Sequence, residues 1–474
     1  MQYDYYASRR TILDECLTAV TQAAEEVEAA RKNKDKTARS QAANKMKQKA
    51  EKVVKLEPHS AYLWAEFKKD VSSDTKNIVQ EAWKKKLEVA ERIEDEEHQD
   101  FLKTPNEFNF IPIDESIDSL PSSSFLLTIP FILQKPYLSK DDRDFYLLDN
   151  PLRREKVFKT PMVAATSWKG ALRSAMLREM VFWWRGQEES QRKSEEFAER
   201  RFLLALLFGD EKGEEPVSLK GLAKYLDEVG GEEAAKVYRH KVREYFDIEE
   251  DKSMPHFRGR LHFFPTFFDN VGLEVINPHD RKTGVGARGP ILMECVPAGT
   301  TGELTVLYVP FPFGPSAKDA GRIREETADA LRTVAEGIRA MLTKYGFGAK
   351  TSSGFGTAEE RLPEKGVLAI NATLGNYVAP KDKFLRLLDE RGRPSEVLLD
   401  KNGKLISKTQ FKKLGDKKPP DLTNAEFEEF KRWYEEHGQA YASGITTVEY
   451  NSLSELVQKA GEIADQLRRE ESDE

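Results

Sequence analysis

At 474 residues, 39% hydrophobic and 33% charged, the chain exceeds one ordinary compact core, has room for two or three, and carries much solvated helix surface. No apolar run approaches the length that crosses a bilayer, and the only cysteines, Cys16 and Cys295, exclude a disulfide framework and a Cys-based zinc site. The net charge of −7 argues against indiscriminate nucleic-acid binding but leaves room for a local basic groove, and Met1-Gln2-Tyr3-Asp4 lacks the layout of a secretory signal, so a cytoplasmic protein with no membrane partner is expected.

Residues 8 to 100 read as helices. Leu13, Leu17, Val20, Ala24 and Val27 recur at three- and four-residue steps, and Met46, Ala50 and Val53 continue the pattern. Ser72-Ser73-Asp74-Thr75 supplies N-cap chemistry for a second stretch of Val79, Trp83, Leu87, Ala90 and Ile93. Mixed-sign charges between these positions predict a helical extension over 1–120. The texture changes at Pro121-Ser122-Ser123-Ser124, which introduces the strand-like run Phe125 to Ile132. Further strands are expected over Arg260 to Phe268, over Glu303 to Val309 and in a short piece after Gly356. Helices are expected over Ser167 to Trp184 and Arg322 to Tyr345. Strand, helix, strand, strand, helix, strand is the order of a ferredoxin-like or RRM-like sheet, so the expected class is α+β with its core at 121–375. Residues 185–256 break that order and read as a helical insertion, with the acidic tract Asp210 to Glu215 and a helical stretch from Ala234 to Tyr245. A C-terminal extension over 376–474 is expected to hold a hairpin turning at Lys401-Asn402-Gly403, two helices and the acidic tail Arg469 to Glu474.

Three stretches can carry chemistry. In Pro161 to Ala175, Thr166 or Ser167 can cap a helix that presents Lys169 and Arg173 on one face and turns Trp168, Leu172 and Ala175 toward a core. A helix N-terminus with two cations nearby suits a phosphate, and an amphipathic helix with solvated cations has the same spacing. Val275 to Pro290 combines turn formers with Arg281, Lys282 and Arg288, as a hairpin arm against a partner or simply as a long surface loop. Gly346 to Gly356 alternates glycines, including Gly348 and Gly354, with Lys350, Thr351 and Ser352. Such a loop can bring backbone N–H groups to a phosphate, or can be a turn into an edge strand.

Taken together and in order, these stretches resemble the RAMP (repeat-associated mysterious protein) superfamily of CRISPR systems. Pro161 to Arg173 is similar to the family's proline, small-residue, Ser-x-Lys-Gly-x-x-Arg signature, with Ser167, Lys169 and Arg173 in its polar positions. Leu207-Phe208-Gly209 resembles the Phe-Gly that closes the following helical segment, and Gly259-Arg260-Leu261 opens a strand as in the family. Asp280 to Gly284, followed by Glu294 and Val296 to Thr300, is similar to the thumb-bearing segment, and Gly346 to Gly356 to the C-terminal Gly-rich motif. The resemblance runs over about residues 124 to 362.

The resemblance implies an RRM-like core with a thumb-like hairpin, in a backbone-type subunit of a type III CRISPR effector complex. Implied partners are guide CRISPR RNA, target RNA and other type III effector subunits. Leu148 to Glu155 is similar to the segment that carries an Asp shortly before a Pro, which puts Asp149 on the catalytic, metal-holding position. A carboxylate there would orient hydrated Mg²⁺ or another divalent metal while an RNA 2′-hydroxyl attacks its phosphate, with Asp141, Asp142 and Asp144 as helpers. Asp149-Asn150-Pro151 is also an ordinary turn. Departures from the pattern are Gln134 to Lys140 in place of a glycine-rich tail, Ala164-Ala165 in place of Pro-Gly, and the long insertion. Two alternatives stay open: a non-catalytic capping or scaffold subunit of the same complex, and a metal-independent guide-precursor processing endoribonuclease using His256, His262 or His279. Phe263, Phe264, Phe267 and Phe268 offer stacking surfaces, although strand alternation sends half of them inward.

Overall fold

The structure is a computed structural model that describes residues 18–19, 22–23, 25–30, 32, 36–56, 81–82, 84, 114–140, 150–155, 160–210, 221–249, 252–277, 290–311, 319–372, 374, 381–388, 394–400, 404–414, 423–438 and 445–469. Most of the second N-terminal periodic stretch, the hairpin tip 401–403 and the acidic tail beyond Arg469 lie outside them. In the N-terminal region α1 (Lys36–Leu56) buries Met46 against Ala23 and Val27, and Lys45 pairs with Glu26 at 2.7 Å. Among the described residues no helix is long and apolar enough to cross a membrane.

The apolar run after Pro121 becomes β1 (Phe125–Ile132), whose side chains are buried on both faces. A strand this uniformly apolar belongs at the centre of a sheet. It pairs antiparallel with β8 (Thr301–Tyr308) along its whole length and with β9 (Arg361–Ile370) along its first half. β4 (Leu261–Phe263) closes the far edge against β8. The helices α2 (Ala165–Gly186) and α5 (Ala320–Ala340) pack on the face of Phe125, Leu127, Ile129 and Phe131. Chain order β1-α2-β4-β8-α5-β9 with spatial order β9-β1-β8-β4 is the interleaving of a ferredoxin-like sheet. A fifth strand, β10 (Thr446–Ser452), pairs with β9, and the following α9 (Leu453–Arg469) packs on α5. Tyr450 reaches across β9 to donate to the Thr128 carbonyl at 3.0 Å, and Gly366 makes the crossing possible: a Cβ there would sit 2.3 Å from the Tyr450 ring.

The stretch Arg260 to Phe268, expected as one strand, is two. β4 ends before Phe264-Pro265, because proline has no N–H to give to the ladder. β5 (Thr266–Phe267) pairs instead with β3 (Met162–Val163). The piece after Gly356, expected to be short, is the ten-residue β9. The helix expected to run to Tyr345 ends at Ala340 and widens into a π-helical turn over Met341–Tyr345.

A second, three-stranded sheet pairs β7 (Ile291–Val296) with both β6 (Gly272–Ile276) and β2 (Tyr137–Leu138). β6 and β7 form an antiparallel stem whose tip, 278–289, lies outside the described residues together with Arg281, Lys282 and Arg288. The insertion is built from α3 (Ser194–Phe208) and α4 (Gly221–Phe246), the latter kinked at Gly231, and Arg201 is buried between them on Asp227 at 2.7 Å. Between β9 and β10, the segments of 381–438 gather Phe384, Phe411, Phe427, Phe430 and Trp433 into their own cluster. Two capping boxes, Ser407 with Gln410 and Thr423 with Glu426, start its helices α7 (Lys408–Lys413) and α8 (Asn424–Trp433), which follow the short α6 (Asp382–Leu385).

Candidate nucleic-acid interface

The Gly-rich loop is held by one aromatic side chain. Phe347 is buried among Phe131, Tyr137 and Trp168, with ring centroids 5.7, 5.3 and 4.4 Å away. Burial pushes the Tyr137 hydroxyl up to about 12. Ala349 N donates to the Leu138 carbonyl at 2.7 Å, Gly356 N to Pro136 at 2.8 Å and Phe347 N to Gly356 at 3.0 Å. This packing requires glycine at two of the positions. At Gly348 (φ +87°) a Cβ would lie 2.4 Å from the Leu138 oxygen, and at Gly356 (φ +69°) 1.9 Å from that of Phe347. Gly354 (φ +84°) faces open space, and Lys350 is exposed with a left-handed backbone of its own (φ +60°).

Opposite this loop lies the start of α2. The helix begins at Ala165 after Ala164, which makes no side-chain cap, so neither Thr166 nor Ser167 is the N-cap that the sequence suggests. Ser167, Gly170, Ala171, Ser174 and Ala175 line one face, a run of small side chains ending in Arg178. With Gly346 to Ala349 and Thr351 as the other wall and Tyr137 and Ser139 as floor, they enclose a groove of about 460 Å³. Among the described residues its charged side chains are Lys140, Arg153 and Arg178, with no carboxylate. Arg178 lies over the Tyr345 ring at 5.2 Å. In a chain of net charge −7, this is a local concentration of positive potential.

The mouth of the groove is tied to the segment following Asp149. Arg153 N donates to Ser139 Oγ at 2.8 Å, and the Asn150 side chain donates to the Leu292 carbonyl at 3.3 Å. Arg154 and Glu294 form an ion pair at 3.2 Å with side chains 2% and 0% exposed, and Leu152 N also donates to that carboxylate at 3.2 Å. Asp149 itself lies outside the described residues, as do Asp141, Asp142 and Asp144. Among the described residues, no three His, Cys, Asp or Glu side chains gather as a metal site.

The candidate residues therefore divide. Ser167, Gly348 and Thr351 line the groove, and Lys350, Ser352 and Gly354 belong to its loop wall. Lys169 and Arg173 do not line it. They sit on another face of α2, where burial and then Arg173 hold the Lys169 ammonium below its ordinary value while Asp210 raises it. Lys140, Arg153 and Arg178 were not singled out by the sequence. Only Arg178 had a local signal, since it continues the helical spacing of Gly170, Ala171 and Ser174. Of the four candidate stacking residues, Phe268 is buried in the core and Phe263 packs against Phe208 at 6.3 Å, while Phe264 and Phe267 are half-buried.

Residues 144–359 match the RAMP superfamily model. This segment is a RAMP domain. The match begins after β1 and ends just before β9. A comparison with curated proteins gives no match. Among solved structures, a chain of the Type III-B Cmr-beta complex bound to cognate target RNA is 12% identical, covering 65% of this chain and 89% of that chain at a TM-score of 0.30. A chain of a CRISPR RNA-guided surveillance complex in its pre-nicking state is also 12% identical, covering 71% and 100% at a TM-score of 0.29. Superposition at that level establishes neither a fold nor an activity.

Within the RAMP domain two of the short motifs turn out to be one packing contact. Gly259 lies against Leu207-Phe208-Gly209 so closely that a Cβ would fall 2.4 Å from the Phe208 carbonyl carbon, and Arg260 N donates to the Leu206 carbonyl at 3.0 Å. The buried Arg260 side chain donates to Glu326 at 2.8 Å and Tyr308 at 3.1 Å and also meets Tyr245, joining β4 to α5 and to the insertion. Burial pushes the Tyr245 hydroxyl up to about 12.

Proposed function

We propose that this chain is a subunit of a type III CRISPR RNA-guided interference complex whose RAMP domain binds guide CRISPR RNA and the guide–target duplex. The observation that carries the reading is the groove in which two sequence-distant segments of the RAMP domain meet with Lys140, Arg153 and Arg178. A backbone phosphate would be met there by these cations, by Ser167 and by the hydroxyls and Lys350 of the Gly-rich loop. Base pairing would supply sequence recognition, leaving the protein to hold backbone and shape. The β6–β7 stem supports a thumb role for Arg281, Lys282 and Arg288 at its tip. Val275 and Ile291 on that stem are 54% and 36% exposed, an apolar surface suited to wedging into a duplex. Other type III effector subunits are the protein partners in this reading.

Asp149 is proposed to act in cutting the target RNA. With Asp141, Asp142 or Asp144 it would hold a divalent cation, which would supply stabilisation of negative charge on the RNA phosphate. The chain's own contribution is positional: the anchors at Asn150, Leu152 and Arg154 hold the backbone next to Asp149 at the mouth of the groove.

The test is a complex purified after co-expression with the neighbouring CRISPR genes and given labelled complementary RNA with Mg²⁺. Asp149→Ala is expected to abolish one or more cuts while guide RNA stays bound, and a chelator to do the same in wild type. Unchanged cutting in Asp149→Ala would make the chain a capping or scaffold subunit. RNA cutting that survives the chelator would favour guide-precursor processing, and absence of bound guide RNA would overturn the assignment.

A further inference from the structure

The groove is shaped partly from behind. α5 does not run straight into the Gly-rich loop: it widens into the π-helical turn Met341–Tyr345, and Gly346 N closes that turn on the Met341 carbonyl at 2.8 Å. Ala358 N donates to the Leu342 carbonyl at 2.7 Å, so the chain leaving the loop returns to the same turn. Single π turns within helices are frequent at functional sites. Here the turn brings Lys344 and Tyr345, neighbours in sequence, onto one carboxylate. The Lys344 ammonium and the Tyr345 hydroxyl donate to the same Glu179 oxygen, at 2.6 and 2.5 Å.

Glu179 follows Arg178 on α2, and the turn of about 100° between consecutive helical residues sends the two to different surfaces. Arg178 and Tyr345 line the groove, whereas Glu179 and Lys344 line a separate cavity of about 650 Å³ among α2, α3, α5 and α9. The Arg178 guanidinium lies over the Tyr345 ring at 5.2 Å, and the Lys344 ammonium lies 5.0 Å from the same ring. Tyr345 is therefore the platform of a groove cation, and its hydroxyl is held by a residue that does not line the groove. Burial raises the Glu179 carboxyl, but hydrogen bonds from Lys344 and Tyr345 outweigh it and hold the group below its ordinary value. Burial first, and then the bond to Glu179, push the Tyr345 hydroxyl up. Near neutral pH the contact thus joins an ionised acceptor to a protonated donor.

We infer that Glu179 is a positioning residue of the groove: by holding Lys344 and Tyr345 it fixes the ring beneath Arg178 and the start of the Gly-rich loop, so that Arg178 meets a backbone phosphate. The inference rests on the RNA-binding reading above and deepens it. It also reverses the sign that charge alone would give, since a carboxylate close to a phosphate site opposes RNA binding by Coulomb repulsion.

The test uses the purified full-length chain and a fluorescein-labelled oligouridine, with affinity measured across a salt series and a thermal melt for each variant. Glu179→Ala is expected to weaken binding although it removes a negative charge. It should flatten the slope of log affinity against log salt by about 0.7, the share of one phosphate contact on a single strand. Arg178→Ala should flatten the slope equally and the double variant no further, because both act through one contact. Glu179→Gln, which keeps an acceptor oxygen, is expected to recover part of the loss. If Glu179→Ala does not fold, Tyr345→Phe decides, since it keeps the ring and removes the hydroxyl: a flatter slope supports the clamp and wild-type binding overturns it. Unchanged or tighter binding by folded Glu179→Ala, or additive flattening in the double variant, would overturn the inference. With Arg178→Ala still impaired, that result leaves the proposed function standing. Failure of the wild-type chain to bind RNA would overturn both.

Discussion

The buried pair of Arg154 and Glu294 is the point at which the region beside Asp149 is most exposed to a single change. Glu294→Gln leaves the shape of the side chain and removes its charge. The carboxylate is 0% exposed and accepts from the Arg154 guanidinium and from Leu152 N, both at 3.2 Å, while the guanidinium is only 2% exposed. The substitution takes the carboxylate charge away from a buried guanidinium and weakens the acceptor of a buried backbone N–H. Breaking one side of such a pair costs about 3–5 kcal/mol, far more than the same pair contributes relative to apolar side chains of equal size. The loss is local first, because the pair joins residues 150–155 to β7 while the central sheet is held by its own core. Hydrogen exchange at 150–155 should accelerate, and target cutting should fall before guide RNA is lost. The double variant Arg154→Met with Glu294→Leu should recover most of the stability, since neither member is then left charged. A Glu294→Gln protein whose exchange at 150–155 and denaturant midpoint match wild type, or a double variant worse than the single one, would refute the argument.

Gly259→Ala should destabilise by about 1–3 kcal/mol through overpacking, since its Cβ would meet the backbone of Leu207 to Gly209 at 2.4–2.6 Å. Gly461→Ala in α9, where nothing lies within 4 Å, should instead stabilise by up to about 1 kcal/mol; urea midpoints of the two variants check both. Gly348→Ala places a methyl 2.4 Å from the Leu138 oxygen at φ +87°. It should cost about 1–3 kcal/mol and displace the groove wall, read as weaker RNA binding and a lower melting temperature. His262 is held below its ordinary value, by burial first and then by Arg258 and Lys169, so the unfolded chain protonates it at higher pH than the folded one. Its contribution to stability is therefore complete above the unfolded histidine range near about 6.5 and is lost as pH falls through the folded value. Melting curves of wild type and His262→Gln should separate in that acid window, and parallel curves would refute the assignment.

The central strand was legible because it needed no partner to declare itself: the apolar run behind Pro121 buries six of its eight residues. The helical face of Trp168, Leu172 and Ala175 was equally plain, and all three are buried, because a 3.6-residue period marks the core side before any tertiary contact exists. The Gly-rich loop was visible as a motif, but its reason was not. Its glycines answer to the Leu138 carbonyl and to Phe347, contacts made across chain segments that the local pattern cannot relate. The same limit hid β10: in Thr446–Ser452 only Tyr450 is fully buried, and the segment gains strand character from pairing with β9. Local periodicity thus determined which segments are strand or helix and which face turns inward. Tertiary structure alone decided that Ser167, and not Lys169, meets the Gly-rich loop, and that Lys140, Arg153 and Arg178 share one groove, because charges distant in sequence become neighbours only through folding.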